Sequence, residues 1–346
     1  MALISKKKIP YPIDTGLFKY LSDYNRSREL AVTYSDLLRY ENSIPLYDSN
    51  GIDTLWATVF FSPSDTELVY DSLKKVYAIM KANGDLSVIQ HLFIDRVDLC
   101  VYGNTKPFRV RIVNRINDNF DYFYIKNADA SRIYGLELEY LLSPNRISYL
   151  VHKNTLIEEH IVGIPGDQFI KTRLNDKHLN EIRLSKEFIK FIERCFIRLL
   201  GDMHSSNFVV DITPDFEEVN YRLRPIDFDQ QSYEGRRAIY MPQYFKQNNP
   251  IIKIGFKHLT RETVQQYQRE ERTLTIQRIK VEKKRIDYLL ETMKKSIISP
   301  YKNVLTLRKE LSEFYYEKEF LGCKNMGSIV ALSLKMLERK PDLYHD

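Results

Sequence analysis

The chain has 346 residues, of which 43% are hydrophobic, 12% aromatic and 28% charged, and its 12 Gly and 13 Pro exclude a collagen-like or low-complexity sequence. That length suits one large two-lobed domain or two ordinary ones. Lys and Arg outnumber Asp and Glu by 52 to 46, and the net charge of +6 is far from the dense basic footprint of a dedicated nucleic-acid binder.

The chain opens Met1-Ala2-Leu3-Ile4 and then three lysines, which is not a secretory signal, so a cytoplasmic location is expected. Its most apolar stretches, Leu55 to Phe61 and Ile329 to Leu334, fall short of the ~20 residues that span a bilayer, and no membrane association is expected. Residues 1–90 read as an N-terminal extension, partly helical. Within it Ser64 and Glu67 have capping-box spacing, Val69, Leu73, Val76, Tyr77 and Met80 recur at helical intervals, and Asn83-Gly84 is a stop, which predicts a helix over 65–82. From His91 the pattern changes to strands. Phe93 to Tyr102, Phe108 to Asn114 and Phe120 to Lys126 are rich in Val, Ile, Phe and Tyr and are separated by turn residues, which predicts a three-stranded antiparallel meander.

A short helix is expected over Ser131 to Leu142, followed by two further strands, Arg146 to His152 and Thr155 to Val162. After Gly163-Ile164-Pro165-Gly166 the chain turns helical, and Phe188, Ile192, Cys195 and Leu199 mark one apolar face of a helix running into Gly201. Beyond Gly255, charged helical segments are expected over Arg261 to Ser296 and Tyr301 to Leu321, with a last helix around Ser328 to Leu337. Lys283-Lys284-Arg285 and Lys294-Lys295 are interleaved with Glu282, Asp287 and Glu291 and read as a solvated helix face. Cys100, Cys195 and Cys323 lie far apart with no C-x-x-C pair, so neither a disulfide framework nor a cysteine zinc site is indicated.

The chemistry-bearing segment is Gly201-Asp202-Met203-His204-Ser205-Ser206-Asn207, followed by Phe208-Val209-Val210 and, twenty residues after Asn207, by Ile226-Asp227-Phe228-Asp229. This resembles the protein-kinase-like superfamily, and within it the aminoglycoside and choline kinase branch, whose pattern is a G-D-x-H-x-x-N loop after a helix, then strands, then I-D-F or I-D-W. The resemblance spans about residues 91 to 232. It implies an α+β, two-lobed protein-kinase-like fold: a small antiparallel-sheet lobe over 91–162, and a larger helical lobe with the catalytic and metal loops over 163–255. The C-terminal helical part would occupy 256–346.

By the same resemblance Asp202 is the catalytic base, and Asn207 and Asp227 hold magnesium on ATP, with Asp229 as a further metal or second-sphere ligand. Lys126, in Tyr124-Ile125-Lys126, resembles the lysine that pairs with nucleotide phosphates, and Glu139 is preferred over Glu137 as its partner. Glu159, His160 and Ile161 correspond to the hinge that reads the adenine edge through backbone groups; Gly103 lies in the turn where the family places its phosphate-covering loop, without a G-x-G-x-x-G, and reads equally as a plain hairpin glycine. His204 is read as a brace for the loop. The implied activity is ATP- and magnesium-dependent transfer of phosphate to a hydroxyl of a small molecule, with a protein acceptor second and a pseudokinase interaction module as the alternative. The turn from Asp211 to Asn220 is longer than the pattern requires, the lead-in is Leu200-Gly201, and there is no A-P-E segment.

Overall fold

A computed structural model describes residues 8–82, 84–102, 105–216 and 218–343. The chain divides into two compact units, one of Phe18–Asp129 and Ile147–His160, the other of Met1–Leu17, Ala130–Arg146 and Ile161–Asp346. In chain order the elements are α1 (Thr15–Asp23), α2 (Tyr34–Leu37), β1 (Asn42–Tyr47), β2 (Asp53–Phe60), α3 (Pro63–Lys81), β3 (Leu92–Cys100), β4 (Phe108–Asn114) and β5 (Phe120–Asn127). There follow α4 (Ala130–Leu142), β6 (Tyr149–His152), β7 (Thr155–Glu159), β8 (Ile164–Pro165), α5 (Gly166–Thr172), α6 (Glu181–Ile197), β9 (Phe208–Asp215) and β10 (Glu218–Pro225). The last elements are α7 (Asn249–His258), α8 (Arg261–Val281), α9 (Lys283–Met293), α10 (Tyr301–Tyr315) and α11 (Met326–Arg339).

The first unit is a seven-stranded antiparallel sheet in the order β1-β2-β3-β4-β5-β7-β6. One face of its central strands, including Val97, Val110, Ile112, Phe123 and Ile125, forms a core with Val69, Leu73 and Val76 of α3. The helix begins earlier than its sequence suggests: Ser62, not Ser64, is the N-cap and accepts from the Asp65 backbone N–H at 3.1 Å. Pro63 explains the displacement, because its fixed φ and missing N–H suit the first helical position. The extension contributes two strands that periodicity does not signal. β1 is an edge strand containing Pro45 and exposed along almost its whole length, so it shows no alternation of buried and solvated residues.

In the second unit α6 is the organising helix, burying Leu184, Phe188, Phe191, Ile192, Cys195 and Phe196. α8 and α11 pack on α6, and α8 and α9 pack on α4. The stretch expected as one helix from Arg261 to Ser296 breaks at Glu282. Some of its charges are interior: Glu271 and Arg272 of α8 are buried, Arg272 Nε lies 2.5 Å from Glu193, and Arg194 of α6 lies 2.6 Å from Glu187 and 3.3 Å from Glu271. Arg285 reaches Glu137 of α4 at 2.8 Å, whereas Lys283 pairs with Asp287 on an exposed face. The long turn expected from Asp211 to Asn220 is instead an extended hairpin, with β9 and β10 in register from Phe208↔Pro225 to Asp215↔Glu218. β8 pairs with the other edge of β9. Among the described residues no helix is long and apolar enough to cross a membrane.

The approach of α11 to α9 depends on Gly327. A Cβ there would lie 2.3 Å from the carbonyl carbon of Met293 and 2.4 Å from its oxygen, and backbone atoms cannot rotate away. Gly327→Ala is therefore expected to lose about 1–3 kcal/mol in denaturant unfolding despite alanine's better helix propensity; an unchanged or raised midpoint would contradict this crossing.

Candidate active site

The loop after α6 is built almost entirely from backbone constraints. Leu199 has a left-handed backbone (φ 56°) and turns the chain back at the end of α6. Gly201 follows, donating its N–H to the Gln230 carbonyl at 3.2 Å, where a Cβ would sit 3.0 Å from Ile239 Cγ2 and 3.1 Å from that same carbonyl. Asp202 is also left-handed (φ 62°), a conformation that costs a non-glycine residue about 1–3 kcal/mol and persists only when its surroundings impose it. They do so here: the Asp202 N–H donates to the Ile239 carbonyl at 3.1 Å, and its carbonyl accepts from the His204 N–H at 2.9 Å and from Asn207 Nδ2 at 2.8 Å. Buried Asn248 braces the same loop, donating from Nδ2 to the carbonyls of Met203 at 2.9 Å and Pro242 at 2.8 Å.

The Asp227 turn is tied to this loop. The Ile226 N–H donates to the Asn207 carbonyl at 2.9 Å, and Asp227 Oδ1 accepts from the Asp229 N–H at 3.0 Å. Asp229 Oδ1 is held by Arg132 Nη2 at 2.8 Å and by Lys8 Nζ at 3.6 Å, while Ser131 Oγ donates to the Gln231 carbonyl at 2.7 Å. The resulting concentration of carboxylates has an electrostatic consequence. Burial, with Asp227, Asp229 and Glu234 nearby, raises the Asp202 carboxyl to about 7.

His204 is held below its ordinary value by burial. Its Nδ1 accepts from the Ser206 N–H at 3.3 Å, its ring lies against Phe245, and its Nε2 stands 4.0 Å from Asp202 Oδ1, beyond hydrogen-bonding distance. These contacts brace the loop.

Among the described residues no three His, Cys, Asp or Glu side chains converge as a self-sufficient metal site. The donor set nevertheless suits magnesium. Asn207 commits its amide nitrogen to the Asp202 carbonyl, so its amide oxygen is the atom it could offer a metal, and Asp227, on the turn tied to Asn207 through the Ile226 N–H, could offer a carboxylate oxygen. Magnesium takes oxygen ligands and is commonly held by one or two protein groups together with substrate phosphates and water.

In the sheet unit, Lys126 is nearly buried, and its Nζ lies 2.5 Å from Glu158 Oε2 and over the Tyr124 ring. Glu139, expected beside Lys126, is buried against Arg198, and Glu137 against Arg285. The Glu159 side chain accepts from the Ser148 N–H at 2.7 Å and pairs with Lys81 at 2.9 Å; His160 Nδ1 bonds Tyr124 Oη at 3.1 Å. Ile161 is buried in the other unit, and Gly103 lies outside the described residues. The structure thus brings Asp202, Asn207, Asp227 and Asp229 together in one unit.

It also adds Lys8, Arg132, Arg198, Asn248 and Glu158 to the residues that hold the candidate groups. Arg198 carried a signal, four residues after Arg194 in the apolar run from Phe191 to Leu200, and so did Glu158 in Leu156-Ile157-Glu158. Neither Lys8 nor Asn248 stands out in its local sequence.

No family model matches this chain, and none of the curated proteins does. Among solved structures it is similar to one described as "Titin kinase and its flanking domains", with 12% identity over 70% of this chain and 54% of that one and a TM-score of 0.27. The chain thus spans about half the length of that structure, and a likeness of this size says nothing about the chemistry.

Proposed function

We propose that the chain is an ATP- and magnesium-dependent phosphotransferase of protein-kinase-like fold, acting on a hydroxyl of a small molecule, with a protein acceptor second. The observation that carries this reading is the Asp202–Asn207 pair. One constrained loop presents a carboxylate and an amide oxygen, the amide nitrogen locks the carboxylate's own backbone, and Asp227 is tied in through the Ile226 N–H. Phosphoryl transfer asks a protein mainly to position groups and neutralise charge; this assembly would do the first directly and the second through the magnesium it would hold.

In this reading Asp202 orients the acceptor hydroxyl and takes its proton. A carboxylate held in place by this loop is a group suited to serve as a general base. Asn207 and Asp227 hold magnesium, with Asp229 behind them fixed by Arg132 and Lys8. The metal, when bound, neutralises charge on the transferred group. Lys126 pairs with the phosphates; the side chains of Glu159 and His160 are committed to Lys81, Ser148 and Tyr124, and their backbone N–H groups donate to the Ser148 and Tyr122 carbonyls, so adenine recognition by that segment falls to its remaining backbone groups, those of Ile161 among them.

A screen of hydroxyl-bearing small molecules and proteins with γ-labelled ATP tests the reading. It should find label transferred to at least one acceptor, only with magnesium, and no AMP adduct by mass spectrometry. Mass addition of AMP would replace the proposal with nucleotidyl transfer.

A further inference from the structure

Two buried carboxylates, Glu158 and Glu139, have partners in this structure other than those the sequence leads one to expect. β5 and β7 are antiparallel neighbours in which Lys126 stands opposite Leu156 and Tyr124 opposite Glu158. Glu158 is therefore the diagonal neighbour of Lys126 on the same face of the sheet, within reach of a long side chain. The pair closes at 2.5 Å with both side chains at or below 10% exposure. The other oxygen of Glu158, Oε1, is buried without a hydrogen-bond partner among the described residues, so the Lys126 ammonium compensates this carboxylate. Glu139 is fully buried in α4 and lies against Arg198, whose side chain is 2% exposed. Arg198 is the C-cap of α6, three residues before Gly201, and its carbonyl accepts from Gln231 Nε2 at 2.5 Å.

We propose that Glu158 is the positioning residue of the phosphate-pairing Lys126, and that Glu139 positions the catalytic loop through Arg198, an assignment that rests on the phosphotransferase reading for what the two groups serve. The lysine is then poised by its own sheet. A buried ammonium that loses its counter-ion is pushed toward the neutral amine, which is the form that reacts with acylating reagents. Glu158→Gln should therefore make Lys126 more reactive, and Glu139→Gln should not.

The experiment treats the full-length wild type, Glu158→Gln and Glu139→Gln with limiting acetic anhydride near pH 8 and reads acetylation at Lys126 by peptide mass spectrometry, normalised to the other lysines. Lys126 acetylation should rise about tenfold or more in Glu158→Gln and stay within about twofold in Glu139→Gln. Kinetics give a second readout: Glu158→Gln should raise the KM for ATP far more than it lowers kcat, and Glu158→Asp should recover part of the loss. Glu139→Gln should lower kcat with the ATP KM nearly unchanged.

Should Glu139→Gln not fold because Arg198 is left unpaired, Glu139→Leu combined with Arg198→Met removes both charges and takes its place in each assay. A large rise in Lys126 acetylation on replacing Glu139, or none on replacing Glu158, overturns the assignment. Acetylation that follows the expected order in a protein with no ATP-dependent transfer would leave the pairing standing and remove the phosphotransferase reading instead.

Discussion

Asp202→Asn is expected to bind ATP as the wild type does, to lose at least about a hundredfold in turnover, and to be more stable than the wild type above neutral pH. The loss follows from chemistry: asparagine keeps the size and the backbone contacts but cannot accept the acceptor's proton, and general-base contributions span ~10² to 10⁴ in rate. The gain in stability follows from the site's own repulsion. Burial and the neighbouring Asp227, Asp229 and Glu234 raise the Asp202 carboxyl to about 7 in the folded protein, against roughly 3.9 in an unfolded chain.

Between those values the folded protein binds more protons than the unfolded one, so the stability contribution of Asp202 falls as pH rises through that window and its cost is complete above about 7. Asparagine carries no such cost, and it tolerates the left-handed backbone at this position better than most residues. In the metal-free protein the variant should therefore gain on the order of 2 kcal/mol at pH 8 and nothing near pH 4. Denaturant unfolding at the two pH values checks the first part, and calorimetry with an ATP-consumption assay checks the second. Wild-type turnover in the variant would remove the catalytic role of Asp202, and an unchanged stability at pH 8 would remove the electrostatic account of its environment.

Asp227→Asn should separate metal binding from folding. Its side chain can still accept from the Asp229 N–H, so the turn keeps its hydrogen bond, while the charge facing magnesium is gone. Second-sphere changes around metals commonly cost 10–100-fold in affinity, and loss of a direct carboxylate ligand is expected to cost at least about tenfold in magnesium-dependent ATP affinity. Titration calorimetry with and without magnesium reads this directly. Equal affinities in the variant and the wild type would place the metal elsewhere.

The parts of this architecture that were legible in the sequence are those with strong local signals. β4 runs from Phe108 to Asn114 as its alternation suggests, and α4 and β5 begin and end within a residue of expectation. The grouping of Asp202 with Asn207 and of Asp227 with Asp229 was legible because each pair falls within a few residues; that the two segments meet depends on the β9–β10 hairpin between them. What escaped depends on tertiary context. β1 is exposed on both faces and carries Pro45, so nothing in its pattern marks it as a strand.

The start of α3 at Pro63 was hidden by an equally plausible capping residue two positions later. Lys8 meets Asp229 across more than two hundred residues, and Asn248 meets Met203 across 45; such contacts have no local signature. Nothing in the spacing of α8 tells which of its charges are covered; in the structure Arg272 pairs with Glu193 of α6 and Glu271 with Arg194 of α6, all four in the interior.

Thermal melting of the full-length protein with ATP alone, magnesium alone and both together tests the central claim most directly. A ligand that binds only the folded state at a hundredfold excess over Kd adds about 2.7 kcal/mol, which moves the midpoint by several degrees. The account predicts such a shift with ATP and magnesium together, and little with either alone. A midpoint that does not move with both present at millimolar concentration would contradict it.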